Sequence, residues 1–213
     1  MNSERVIIGY YICMKTECPS FTGFSADRFL SVSDCLCDHE PQIFRCHGWG
    51  KSGDDKEYRH RYFADEEEYI QLSLKLRELF ENGLFCSDGR FMRREDAVYF
   101  YTRLFKKHDC TLVAVSTDKE YASLAGDKDF SDKYEKYSTD MEVIGCDVIG
   151  WDISVFHSFL CNSLHKRFDG LKFSRYGLLD ADLSAAKNIA SEIQGKGEPV
   201  DWIPVEICKP DIT

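Results

Sequence analysis

No run of about 18 apolar residues occurs anywhere in the chain, which excludes a hydropathy-defined membrane-spanning helix. The start, with Glu4 and Arg5 ahead of Val6–Ile8, lacks the basic, apolar and small-residue regions of a secretory leader. A cytoplasmic location without membrane contact is the expectation. A Walker-type phosphate loop is missing, and Gly145 and Gly150 alone carry no such chemistry, so no cofactor is expected. Internal repeats, low-complexity tracts and obvious linkers are also lacking, which leaves no boundary at which to divide the chain. Basic charge is in deficit: 27 Lys and Arg stand against 37 Asp and Glu, a net charge of −10. That balance disfavours direct binding of nucleic acid or an anionic membrane and suits a basic protein partner.

What is present is enough for one sizeable core. A chain of 213 residues buries roughly 70% of its unfolded surface without needing metals or disulfides. In a reducing compartment the ten cysteines are not expected to form disulfides, since the chain is far larger than the small secreted domains that need such staples, and most sit in apolar stretches: Cys13 after Tyr10-Tyr11-Ile12, Cys110 before Leu112-Val113, Cys146 beside Ile144, and Cys208 after Val205 and Ile207. They read as small buried hydrophobes.

Periodicity sets out the elements. Val143–Leu164 is the expected centre, a strand rich in Val and Ile leading through Ser154 as N-cap into a helix with Phe156, Phe159, Leu160 and Leu164. Strands are also expected over Arg5–Met14, Cys110–Thr117 and Val200–Cys208, the last at an edge or bulge because of Pro204. Pro41–Trp49 and Glu57–Phe63 suggest a hairpin. Helices are expected over Ser25–Cys37, over Ala64–Asn82 with Asp65 as N-cap and Tyr69, Leu72, Leu76, Leu79 and Phe80 as its apolar stripe, over Arg94–His108, and over Asp182–Gln194. The sum is a single mixed α+β domain over residues 1–213, with a central β-sheet and about four or five packed helices.

Three groups of residues invite a chemical reading. Cys35, Cys37, Cys46 and His47 offer zinc-type donors, but Cys-x-Cys and an adjacent Cys-His are poor chelate spacings, so no metal ligand is assigned. His157, Cys161 and His165 would line one stripe of the expected helix, yet without a partner from another element they do not make a nucleophile and base, and no catalytic residue is assigned. Asp147 and Asp152 do not make such a group: they point to opposite faces of a strand, one as a buried hydrogen-bonded carboxylate.

The third group is Asp118–Glu142, read as an exposed acidic insertion with eight carboxylates against four lysines. Tyr121, Asp127, Asp129, Asp132, Tyr134 and Tyr137 are the candidate partner-binding residues. Tyrosine supplies contact area at low entropic cost, while the carboxylates steer a basic partner. The functional expectation is a non-enzymatic binding protein, of the inhibitor or immunity type that blocks a cationic toxin or nuclease. The alternative is a Cys/His-dependent enzyme or a zinc-binding regulatory protein.

Overall fold

The computed structural model describes residues 4–14, 23, 26–33, 35–37, 39, 63–105, 109–126, 134–152, 155–161 and 163–212. Their frame is a six-stranded, fully antiparallel sheet in the order β3-β1-β2-β6-β4-β5. The strands are β1 (Arg5–Met14), β2 (Cys110–Asp118), β3 (Glu135–Lys136), β4 (Glu142–Asp152), β5 (Val155–Ser158) and β6 (Trp202–Lys209). The helices are α1 (Glu66–Glu81), α2 (Arg94–Phe100), the one-turn α3 (Lys119–Ala122) and α4 (Leu183–Ile193). The mixed α+β architecture around a sheet is as the sequence predicts. The hairpin expected over Pro41–Trp49 and Glu57–Phe63 lies outside the described residues. Among the described residues, no helix is long and apolar enough to cross a membrane.

Both faces of the sheet are covered. Ile7, Tyr10, Ile12, Leu112 and Ala114 pack beneath α1 and α2, while Val6, Ile8, Tyr11, Cys13, Val113 and Val115 pack toward α4 and the irregular segment 26–37. Strict alternation would put Ile8 on the face of Tyr10 and Ile12. A β-bulge between Ile7 and Gly9 inserts one residue into β1 and moves Ile8 to the other side. Gly9 is required there by space, since a Cβ would lie 2.2 Å from Cγ of the buried Arg90.

Helix α1 follows its sequence closely. The Asp65 carboxylate accepts the Glu68 N–H at 2.8 Å, Glu68 in return accepts the Ala64 N–H at 2.7 Å, and Glu66–Glu68 occupy the positive end of the dipole. Tyr69, Leu72, Leu76 and Leu79 are buried, each leucine worth about 1.5–3 kcal/mol in transfer terms. Phe80, expected on the same stripe, is 40% exposed because it lies about 100° beyond Leu79 around the axis. Helix α4 is capped by Asp182, which accepts from Ala185 N–H, and buries Leu183, Ala186, Ala190 and Ile193 as expected.

Four expectations need correction. Val155–Ser158 is not the start of a helix but a strand that folds back on β4, with Trp151 opposite Phe156 and their rings 4.8 Å apart. β-branched and aromatic residues paired across strands outweigh the helical spacing of Phe156, Phe159 and Leu160. Ser154 lies outside the described residues. The helix expected over Ser25–Cys37 is absent from the described part: the Asp27 and Leu30 N–H groups donate to the Arg175 and Tyr176 carbonyls, and the Ser31 and Ser33 hydroxyls accept the Ser33 and Cys35 N–H groups.

The helix beginning at Arg94 changes at Tyr101 into a π-turn (Tyr101–Phe105), where the Thr102 hydroxyl donates to the Val98 carbonyl. Its expected end at Lys106–His108 lies outside the described residues. Pro204, assigned to an edge or a bulge, sits in β6 between β2 and β4. The β2–β6 pairing has ended at Ser116–Glu206 before Pro204 is reached, and the Thr117 hydroxyl takes the Pro204 carbonyl at 2.6 Å. β2 is central, as expected.

Candidate functional site

Of the six candidate partner residues, Asp127, Asp129 and Asp132 lie outside the described residues. The three tyrosines are described and are half-buried rather than displayed. Tyr121 and Tyr134 pack against the core beneath α4, and the Tyr134 hydroxyl donates to the Ala122 carbonyl at 3.1 Å. Tyr137 packs on the opposite face, with the Arg5 guanidinium 3.9 Å above its ring. The structure therefore does not bring the three together.

It brings the end of the same acidic segment to an open groove of about 570 Å³. Asp140 and Glu142, where the segment enters β4, line the groove with Tyr101 of the π-turn, with Lys209 at the end of β6, and with Asp211 and Ile212 beyond it. Three exposed carboxylates face one half-buried lysine. The Lys209 ammonium turns toward Tyr176, 3.4 Å from its hydroxyl and 5.2 Å from its ring centroid. The groove is thus acidic, with an aromatic residue in its wall and the 43% exposed Ile212 at its rim.

A second feature lies inside the protein. Under the segment 26–39, one face of the sheet carries a strip of buried polar groups within the apolar core. Tyr11 donates to Asp88 Oδ2 at 2.6 Å, and Arg90 Nε lies 3.4 Å from the same oxygen. Arg90 also donates to the Ala125 carbonyl at 2.7 Å and faces the Trp151 and Phe156 rings. Both Asp88 and Arg90 side chains are 1% exposed. Burial opposes the Arg90 charge, but Asp88, Tyr11, Cys86 and Tyr134 together outweigh it and the guanidinium stays protonated, while burial and Asp88 push the Tyr11 hydroxyl well above its ordinary range.

The strip continues from Tyr11 to His39, whose rings are 5.1 Å apart. His39 Nε2 lies 2.8 Å from the Ser31 carbonyl, which also takes the Cys13 thiol at 3.9 Å. The donor atoms of Cys13, Cys37 and His39 lie within 4.8 Å of one another. Ser31 then donates through its hydroxyl to Asp147 at 3.0 Å, and Ser158 and the Val148 N–H reach the same carboxyl at 2.8 Å. Burial pushes Asp147 up to about 6 despite these three bonds. It is the buried, hydrogen-bonded aspartate that the sequence suggests.

The other predicted donors are dispersed. His157 is on β5 opposite Gly150, Cys161 lies in the following turn with Sγ 3.0 Å from Ser33 Oγ, and His165 packs between the Phe159 and Phe173 rings. Burial pushes the Cys161 thiol up to about 12, the wrong direction for a thiolate nucleophile. Of the four zinc-type candidates, Cys35 is exposed, Cys37 joins Cys13 and His39, and Cys46 and His47 lie outside the described residues. Gly48, Gly50 and Gly53 carry a Gly-x-Gly-x-x-Gly spacing that also lies outside them. The described strands are all antiparallel, without the parallel βαβ unit that gives this spacing a dinucleotide.

Sequence reasoning missed Arg90 and Cys13. A charged pair straddling Gly89 in the turn that returns Phe91 against Tyr10 is a signal for the first. Nothing local marks Cys13, whose partners come from a distant segment. Comparison with family models, curated proteins and solved structures found no match.

Proposed function

We propose that this is a cytoplasmic, non-enzymatic binding protein that takes a basic segment of a protein partner, in the manner of an inhibitor or immunity protein for a cationic toxin or nuclease. The observation that carries this reading is the acidic groove at Asp140, Glu142 and Asp211, on a chain with a net charge of −10. A lysine or arginine entering it would meet three carboxylates, the Tyr101 ring and an apolar rim. Long-range attraction from the acidic surface would raise the encounter rate.

The test is fluorescence anisotropy with an arginine-rich peptide and a glutamate-rich peptide of equal length. The arginine-rich peptide binds and is weakened by salt, and Asp140→Lys with Glu142→Lys lowers its affinity by about tenfold or more. Reversal at Asp127, Asp129 and Asp132 measures whether the rest of the acidic segment takes part. Equal binding of both peptides, or indifference to reversal at Asp140 and Glu142, would discard the groove as the site.

A further inference from the structure

We propose that Cys13, Cys37 and His39 form a buried binding site for a thiophilic divalent ion, Zn²⁺, that is separate from the acidic groove. The three side chains come from two pieces of chain. Cys13 lies near the end of β1, and an isolated antiparallel bridge pairs it with His39. Cys37 and His39 are two residues apart in the segment that crosses β1. Their three donor atoms lie within 4.8 Å of one another, and all three residues are buried. A tetrahedral zinc ion, with Zn–S of about 2.3 Å and Zn–N of about 2.1 Å, holds its ligand atoms roughly 3.5 Å apart. Closing the gap takes side-chain rotation and no change in topology.

The chemistry of the donors agrees. The Ser31 carbonyl can only accept, so His39 Nε2 must carry the proton of that 2.8 Å bond. In the neutral ring this leaves the lone pair on Nδ1, and a carbonyl orienting the far side of a histidine is the usual support for a metal ligand. The two thiols lie near backbone carbonyls, Cys13 3.9 Å from that of Ser31 and Cys37 3.5 Å from that of Met14.

Charge balance completes the argument. On binding, each thiol releases one proton to solvent and becomes a thiolate. Zn²⁺ with two thiolates and one neutral imidazole is electrically neutral, which suits a site buried at the centre of the core. By linking β1 to segment 37–39, the ion would fasten the irregular cover to the sheet.

The experiment is metal analysis of the full chain purified under reducing, chelator-free conditions, followed by Co²⁺ titration of the demetallated protein. The expected result is about one zinc per chain and a thiolate-to-cobalt charge-transfer band that saturates at one equivalent. Cys13→Ser, Cys37→Ser and His39→Gln each lose stoichiometric metal, whereas the exposed neighbour Cys35→Ser keeps it. Wild-type protein with neither zinc nor a thiolate–cobalt band would overturn the site, whatever the variants do. So would retention of metal by all three variants, or a Cys13–Cys37 disulfide in place of the metal under the same conditions.

Discussion

The two faces of the sheet are covered in different ways. Under α1 and α2 the contacts are a leucine and aromatic layer: Leu72, Leu76 and Leu79 of α1 and Phe100 of α2 meet Ile7, Ile12 and Leu112. Under segment 26–39 a larger apolar layer is threaded by Tyr11, Asp88, Arg90, His39, Ser31 and Asp147, each hydrogen-bonded to another part of the strip or to backbone. A helix satisfies its own backbone and can present only hydrocarbon. An irregular cover cannot, and Ser31 and Ser33 supply the bonds that its backbone does not make to itself. The first face provides stability that is local and additive. The second ties distant segments together through bonds that fail when one member is removed.

The sharpest way to break the comparison is Arg90→Met, which leaves Asp88 as an uncompensated buried charge and is expected to cost about 3–5 kcal/mol in urea unfolding. The double variant with Asp88→Asn should regain a large part of that loss, and simple additivity of the two would contradict the network. On the other face, Leu76→Ala should cost about 3 kcal/mol by cavity formation, with no dependence on pH.

Asp147 separates the faces by pH. Its folded-state pKa, about 6, is raised above the ordinary 3.8, so its contribution favours folding below about pH 4 and is lost as pH rises through 6. Unfolding between these limits should show a loss of roughly 2–3 kcal/mol in the wild type that Asp147→Asn abolishes. If the slope persists in the variant, the carboxylate is not its source. The smallest effect is local to α1: Asp65→Ala removes the cap on the Glu68 N–H and should cost about 1 kcal/mol at any pH near neutral.

The same contrast explains what could be read from residues alone. α1 and α4 were legible because capping aspartates and apolar spacing act within one element, and β2 because a short apolar run flanked by polar residues fits a central strand. The bulge at Gly9 was not legible, since it answers to the distant Arg90. Nor was the fold-back of Val155–Ser158, where cross-strand pairing with Trp151 competes against a helical pattern of equal local merit. The acidic segment was legible as a run of carboxylates, not in where its side chains go. Its tyrosines turned inward because Tyr134 and Tyr137 meet Ala122 and Arg5, and among its described residues Asp140 and Glu142 line the groove.

The most direct measurement is affinity capture from the native host with two baits, the wild-type chain and the chain carrying Asp140→Lys and Glu142→Lys, with elution by salt. The groove reading predicts a basic protein that the wild type retains, that salt releases and that the reversed chain fails to hold. Recovery of the same proteins by both baits, or of an acidic partner by the wild type, would contradict it.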